Sequence, residues 1–185
     1  AHQAFRAGAV FRRPDATWPA IGDLDSARSI PATPEEFWNF DSLCHLAAVL
    51  FDDSSLKFDD AFCGEELFWL NGCEGVAHFR RMTSETNPAR AVVLDDSGYA
   101  VASREGEPGA GGEHLVFDAG PISAGLHPDA TPSTAHGHAD VLSFLYYAEG
   151  KERLCDSGIP YYYGPATWVE YFRSPAAHNT IEIAG

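Results

Sequence analysis

The spacing of apolar residues changes near residue 90, and that change limits the fold more than any other feature of the sequence. Before it the period is helical. Leu43, Leu46, Ala47 and Leu50 recur on one helical face. Thr33-Pro34-Glu35-Glu36 predicts a helix start, with Thr33 as N-cap, Pro34 at the first helical position and Glu36 closing a capping box. A second helix is expected over Glu65 to Leu70, stopped by Gly72 after Asn71, and a third ending at Arg80, Arg81 and Met82. After residue 90 the residues alternate. "ARAVVLDDSGYAVASR" predicts two strands around Asp95-Asp96-Ser97-Gly98, and "EHLVFDAG" predicts a third. "ADVLSFLYYAEGKERLCDSG" reads as a hairpin turning at Glu149-Gly150, and "HNTIEIAG" as one more strand. Helices first and an antiparallel sheet second make an α+β chain with a helical part over 1–90 and a β part over 91–185. The strands are too few for a complete sandwich, so an incomplete sheet is expected.

The bulk numbers narrow the class. At 185 residues, 45% hydrophobic and 21% charged, the chain is globular, with room for one domain or pieces of two. No apolar run approaches the roughly 20 residues of a membrane helix. The opening "AHQAFRAGAVFRRPD" lacks the basic start and apolar core of a signal peptide. The chain is therefore read as cytoplasmic or as lacking its true N-terminus. A net charge of -15 argues against a nucleic-acid partner, because phosphate binding needs clustered Lys and Arg. Cys44, Cys63, Cys73 and Cys155 form no CxxC pair, which argues against a four-cysteine zinc site; buried free thiols are expected.

The chemistry concentrates in "AHGHAD", residues 135–140. On a strand, His136, His138 and Asp140 would share one face. Two such imidazoles can reach one metal, or one can bind while the other works beside it. Gly137 leaves room for close approach of a ligand or another backbone. Taken alone, an HxH pair is as readily two surface histidines. Asp156, in "RLCDSG" on the return strand, and His178, in "SPAAHNTIEI", supply further ligands. Imidazoles plus a carboxylate suit tetrahedral zinc with an open fourth position. Asp140 either orients a histidine or makes a hydrogen bond to backbone. "GDLDSARS", residues 22–29, reads as a polar loop or as a segment reaching a cleft through Asp25 and Arg28.

"HGHADVLSF", "DSGIPYYYG" and "YFRSPAAHNTIEI", in this order and spacing, resemble the heparinase II/III family of polysaccharide lyases. "IGDLDSARSIP" and "DSGYAVASR…EHLVFDAGP" resemble the segments that precede them there. The resemblance implies the last helices of an (α/α) toroid followed by the start of an antiparallel β-sandwich, with substrate in the cleft between. It implies a structural zinc held by His138, Asp156 and His178. It places His136 in the active site, with Arg173 and Asn179 near it as substrate-binding residues. The implied substrate is an acidic, uronic-acid-containing polysaccharide of heparin, heparan or alginate type, cut by β-elimination, in a periplasmic or secreted protein. Self-association is left open.

That chemistry is coherent for these residue types. The C5 proton of a uronic acid becomes removable only when the neighbouring carboxylate is neutralised, and an acid must then protonate the leaving oxygen. Histidine, titrating near neutrality, suits either task. The resemblance also implies a proton-transferring tyrosine on the toroid, yet no tyrosine precedes Tyr99. Tyr161, Tyr162 and Tyr163 match a different family segment, and their bland role is aromatic packing. The chain is thus read as a fragment of a lyase. Its charge of -15 would repel a polyanion, and Arg153 and Arg173 are the local cations that could meet one.

Three other readings bear on the same residues. A metallo-β-lactamase-type HxHxDH motif would need histidine where Val141 stands. A cupin-type site expects a glutamate a few residues on, but Asp140 is too near and Glu149 too far. The third is a non-catalytic carbohydrate-binding β module in which zinc only staples the sheet.

Overall fold

The computed structural model describes residues 1–23, 39–60, 64–84, 89–106, 111–121, 137–159 and 164–183. The chain is α+β and divides into two compact units. One comprises Ala1–Arg12, Ala16–Trp18 and Ser26–Pro88; the other comprises Arg13–Asp15, Pro19–Asp25 and Ala89–Gly185.

The first unit holds α1 (His2–Ala9), α2 (Asp41–Phe51), a 3₁₀ turn (Ser54–Leu56) and α3 (Glu65–Arg81). The start predicted at Thr33–Glu36 lies outside the described residues. Small side chains let α2 pack closely: Ala47 and Ala48 are fully buried beside Cys44, Leu56 and Trp18. Asp41 in its first turn accepts the Arg12 Nε and Nη2 at 2.7 and 2.8 Å, a charge placed where the helix dipole favours it. Leu46 packs with Leu67 and Phe79 of α3. The expected stop at Gly72 takes the form of a break within α3, at φ 64 and ψ -166, a conformation that favours glycine. The last carbonyls of α3 lack helical partners, and buried Lys57 supplies them. Its ammonium donates to the Phe79 carbonyl at 3.0 Å and to that of Met82.

The second unit is a five-stranded antiparallel meander in the order β1 (Ala89–Leu94), β2 (Tyr99–Arg104), β3 (Glu113–Asp118), β4 (Phe144–Ala148) and β5 (Lys151–Leu154). Val101, Val116 and Leu145 lie in cross-strand register and are all buried, so one face of β2, β3 and β4 makes the core. Val93, Leu115 and Phe144 remain exposed. Arg13 braces the sheet, paired with Glu152 and standing 5.8 Å over the Tyr147 ring. The hairpins turn at the predicted Asp95–Gly98 and Glu149–Gly150.

Two predicted strands are not formed among the described residues. Residues 137–143 form a loop, and β4 begins only at Phe144. Their backbone groups bond to the ends of other elements rather than to a ladder: Ala139 N–H to the carbonyl of Arg173, the last residue of α4, at 2.9 Å, and Leu142 N–H to that of Asp118, the last residue of β3, at 2.7 Å. The segment from His178 to Ile183 is likewise irregular and follows a 3₁₀ turn at Pro175–Ala177. Asp156 lies beyond the end of β5 rather than on it. Helices α1 and α4 (Ala166–Arg173) were not anticipated; α4 buries no residue. Cys44 is buried as expected, but Cys73 and Cys155 are exposed, and all three are free thiols.

Candidate metal centre

Three loops of the second unit converge beside the sheet. The loop 137–143 leads into β4, the residues after β5 carry Asp156, and the segment after α4 carries His178. Side chains tie them together. The Asn179 amide nitrogen donates to the carbonyls of Phe144 at 3.1 Å and Cys155 at 2.9 Å. The Thr180 hydroxyl donates to the Val141 carbonyl, and that of Ser157 to Ala177 at 3.4 Å. No strand carries the site, so these cross-loop bonds set its geometry.

His138, Asp156 and His178 meet there, each offering a ligand atom within 4.8 Å of the others. They are the one such group of three or more among the described residues. The His138 and His178 ring centroids are 5.1 Å apart, and both side chains are fully buried. The His178 Nδ1 lies 3.0 Å from the Asp156 Oδ2, while the Gly158 N–H holds the other carboxylate oxygen at 2.8 Å. Two ring atoms are left over: among the described residues, His138 Nδ1 and His178 Nε2 are buried with no hydrogen-bond partner. A buried polar atom without a partner costs about 1–3 kcal/mol, so two in one cluster call for a ligand. Two imidazoles and a carboxylate are a donor set suited to zinc. The residues present therefore fit the metal that the sequence pattern implies.

The surroundings are acidic. Tyr99, Asp118, Asp140 and Asp156 line a small cavity with Val116 and Leu145. Burial pushes the Asp140 and Asp118 carboxyls up, and mutual repulsion within the cluster adds to it. Burial and the same carboxylates push the Tyr99 phenol above its ordinary range. Burial would lower His178, but the hydrogen bond and charge of Asp156 and the charge of Asp140 outweigh it, and the net shift is upward.

The other expected site residues fall as follows. His136, Asp25, Arg28 and Tyr161–Tyr163 lie outside the described residues. Asn179 holds backbone carbonyls, as above. Arg173, at the end of α4, directs its guanidinium to Asp23: its Nε is 3.3 Å from Oδ1 and its Nη2 bonds Oδ2. Asp23, whose side chain is fully buried, also stands 2.9 Å from the Nε2 of His138. Burial would raise its carboxyl, but the bonds from His138 and Arg173 and the guanidinium charge hold it below the usual range. The sequence reading passed over Asp23 within "GDLDSARS", the only signal for it.

A loop-built His/Asp/His cluster beside an antiparallel meander defines the class as a β scaffold with a candidate metal site. The sequence matches the heparinase II/III-like, C-terminal family over residues 86–185, more than half of the chain, and the chain belongs to that family. No curated protein sequence matches significantly. Among solved structures, a crystal structure of heparinase III superposes with a TM-score of 0.61 at 20% identity, covering 97% of this chain and 25% of that one. A heparinase III with methylated lysines gives 0.52 at 18%, covering 93% and 21%. A heparan sulfate lyase from Pedobacter heparinus gives 0.50 at 16%, covering 91% and 21%. These likenesses concern the fold, and the chain spans about a quarter or less of each protein's length.

Proposed function

We propose that this chain is part of a polysaccharide lyase that cleaves uronic-acid-containing polysaccharide of heparin, heparan or alginate type by β-elimination, with a structural zinc bound by His138, Asp156 and His178. The observation that carries the reading is the convergence of those three residues, from three separate loops, within a family of heparinase type. Bound there, zinc supplies a cross-link between the loops. The two buried ring nitrogens then gain the partner they lack.

His136, two positions before His138 in sequence, is the residue assigned to chemistry. Its task is to neutralise the uronate carboxylate or to move the C5 proton, either of which suits an imidazole. Anchoring His138 fixes the backbone beside it. Asn179 serves the site by holding β4 and β5 at their loop ends. A role for Arg173 in binding a substrate carboxylate rests on the exposed third of its side chain, since its guanidinium is engaged with Asp23. The helical unit is assigned to the end of an α/α toroid and the sheet to a β-sandwich; superposition on the heparinase III fold supports both. A periplasmic or secreted location follows from the family reading. Among the described residues no helix is long and apolar enough to cross a membrane.

The alternative reading is a zinc-stapled carbohydrate-binding module, in which the ion only joins the three loops. Incubating the purified chain with heparan sulfate and with alginate separates the two. A rise in ultraviolet absorbance from unsaturated sugar ends supports the lyase; retention on the polysaccharide with no such rise supports the binding module.

A further inference from the structure

We propose that Asp23 is the positioning carboxylate of the metal centre: by holding the Nε2–H of His138 it fixes the ring so that Nδ1 is the nitrogen given to the metal. The inference rests on the metal-site reading above and extends it to a residue outside the implied ligand set. Three observations carry it. The Asp23 Oδ1 lies 2.9 Å from His138 Nε2, with both side chains fully buried. The opposite nitrogen, Nδ1, is buried without a partner among the described residues and belongs to the ring that meets Asp156 and His178. Asp23 is itself held by the two-pronged guanidinium of Arg173.

The neutral imidazole has one N–H and one lone pair, so the bond made by one nitrogen decides what the other can do. A carboxylate accepts and cannot donate, so Nε2 must carry the proton and Nδ1 the lone pair. Metal-bound histidines commonly have such an outer partner, and its loss weakens metal binding by about 10–100-fold. Arg173 completes the arrangement from two sides. Its planar fork orients the Asp23 carboxylate, and its own carbonyl accepts the N–H of Ala139, the residue after His138. Ring and backbone of His138 are thus held by one coupled pair. Arg173 acts here as a positioning residue.

The test uses the chain itself with zinc as the probe. In ¹⁵N spectra of histidine-labelled wild type, adding zinc is expected to shift His138 Nδ1 while Nε2 keeps its proton. In chelator competition, Asp23→Asn is expected to bind zinc about 10–100-fold more weakly, with His138 in mixed tautomers before zinc is added. Zinc on Nε2 of His138, or an Asp23→Asn chain with unchanged affinity and tautomer, overturns the inference and leaves the metal site standing. Wild type that takes up no zinc overturns both. Should Asp23→Asn fail to fold, the wild-type spectrum decides alone.

Discussion

The Nδ1 of His178 lies 3.0 Å from the Oδ2 of Asp156, 22 positions earlier in the chain. A carboxylate that accepts the Nδ1–H leaves the lone pair on Nε2, the ring nitrogen that is buried without a partner among the described residues and so is the one available to a metal. The same contact is a buried ion pair when His178 is protonated.

Zinc is therefore expected to stabilise the β unit. At a free concentration about a thousand times its Kd, a ligand that binds only the folded state adds about 4 kcal/mol. Thermal unfolding with zinc and with chelator measures the gain. His138→Ala, Asp156→Ala and His178→Ala should each abolish the zinc response; a variant that kept it in full would remove its residue from the ligand set.

Asn179→Ala removes two hydrogen bonds to carbonyls at the ends of β4 and β5. The expected loss is about 1–2 kcal/mol in denaturant unfolding. Zinc affinity should fall with it, because the loops carrying Asp156 and His178 lose their tie. Unchanged stability would show that Asn179 is not a structural clamp.

Gly98 turns the first hairpin at φ +77, with its N–H on the Leu94 carbonyl at 2.8 Å. An added Cβ would come within 2.2 Å of the Gly120 Cα. Gly98→Ala combines a strained backbone with a collision against backbone, and about 2 kcal/mol or more should be lost. A melting temperature equal to wild type would refute the geometry of this turn.

In the helical unit, burial lowers the pKa of His45 to about 4, and its Nε2 accepts the Phe58 N–H at 3.3 Å. Protonation would turn that acceptor into a donor. Between the ordinary 6.5 and about 4 the unfolded chain binds more protons here than the folded one, so stability falls as pH falls through this window. The group's share approaches about 3 kcal/mol at the acid end. His45→Leu should flatten the unfolding profile between those limits, and a slope equal to wild type would count against the assignment.

The β hairpins were legible because turn residues fell between strand-like runs: Asp95–Gly98 follows β1, whose exposed and half-buried residues alternate, and Glu149–Gly150 joins β4 to β5. The histidine motif misled as to its element. Its i, i+2 spacing suggests a strand, but the Ala139 and Leu142 N–H groups bond to Arg173 and Asp118, partners that no local pattern reveals. Helix α4 stayed hidden because Trp168, Tyr171 and Phe172 favour strands and pack on one another rather than into a core. Asp23 lies 115 positions from His138, beyond the reach of any spacing argument.

The irregular backbone around the centre has a consequence for the unfolded chain. An ion joining residues 138, 156 and 178 closes two loops, as a pair of disulfides would, and each closure of that size removes about 3 kcal/mol of chain entropy from the unfolded ensemble. Residues 137–143 and 174–183 have no strand ladder to hold them. Stripping the ion should therefore release these segments to proteases and solvent exchange while the meander keeps its register, so loss of metal would first be felt as local opening rather than collapse.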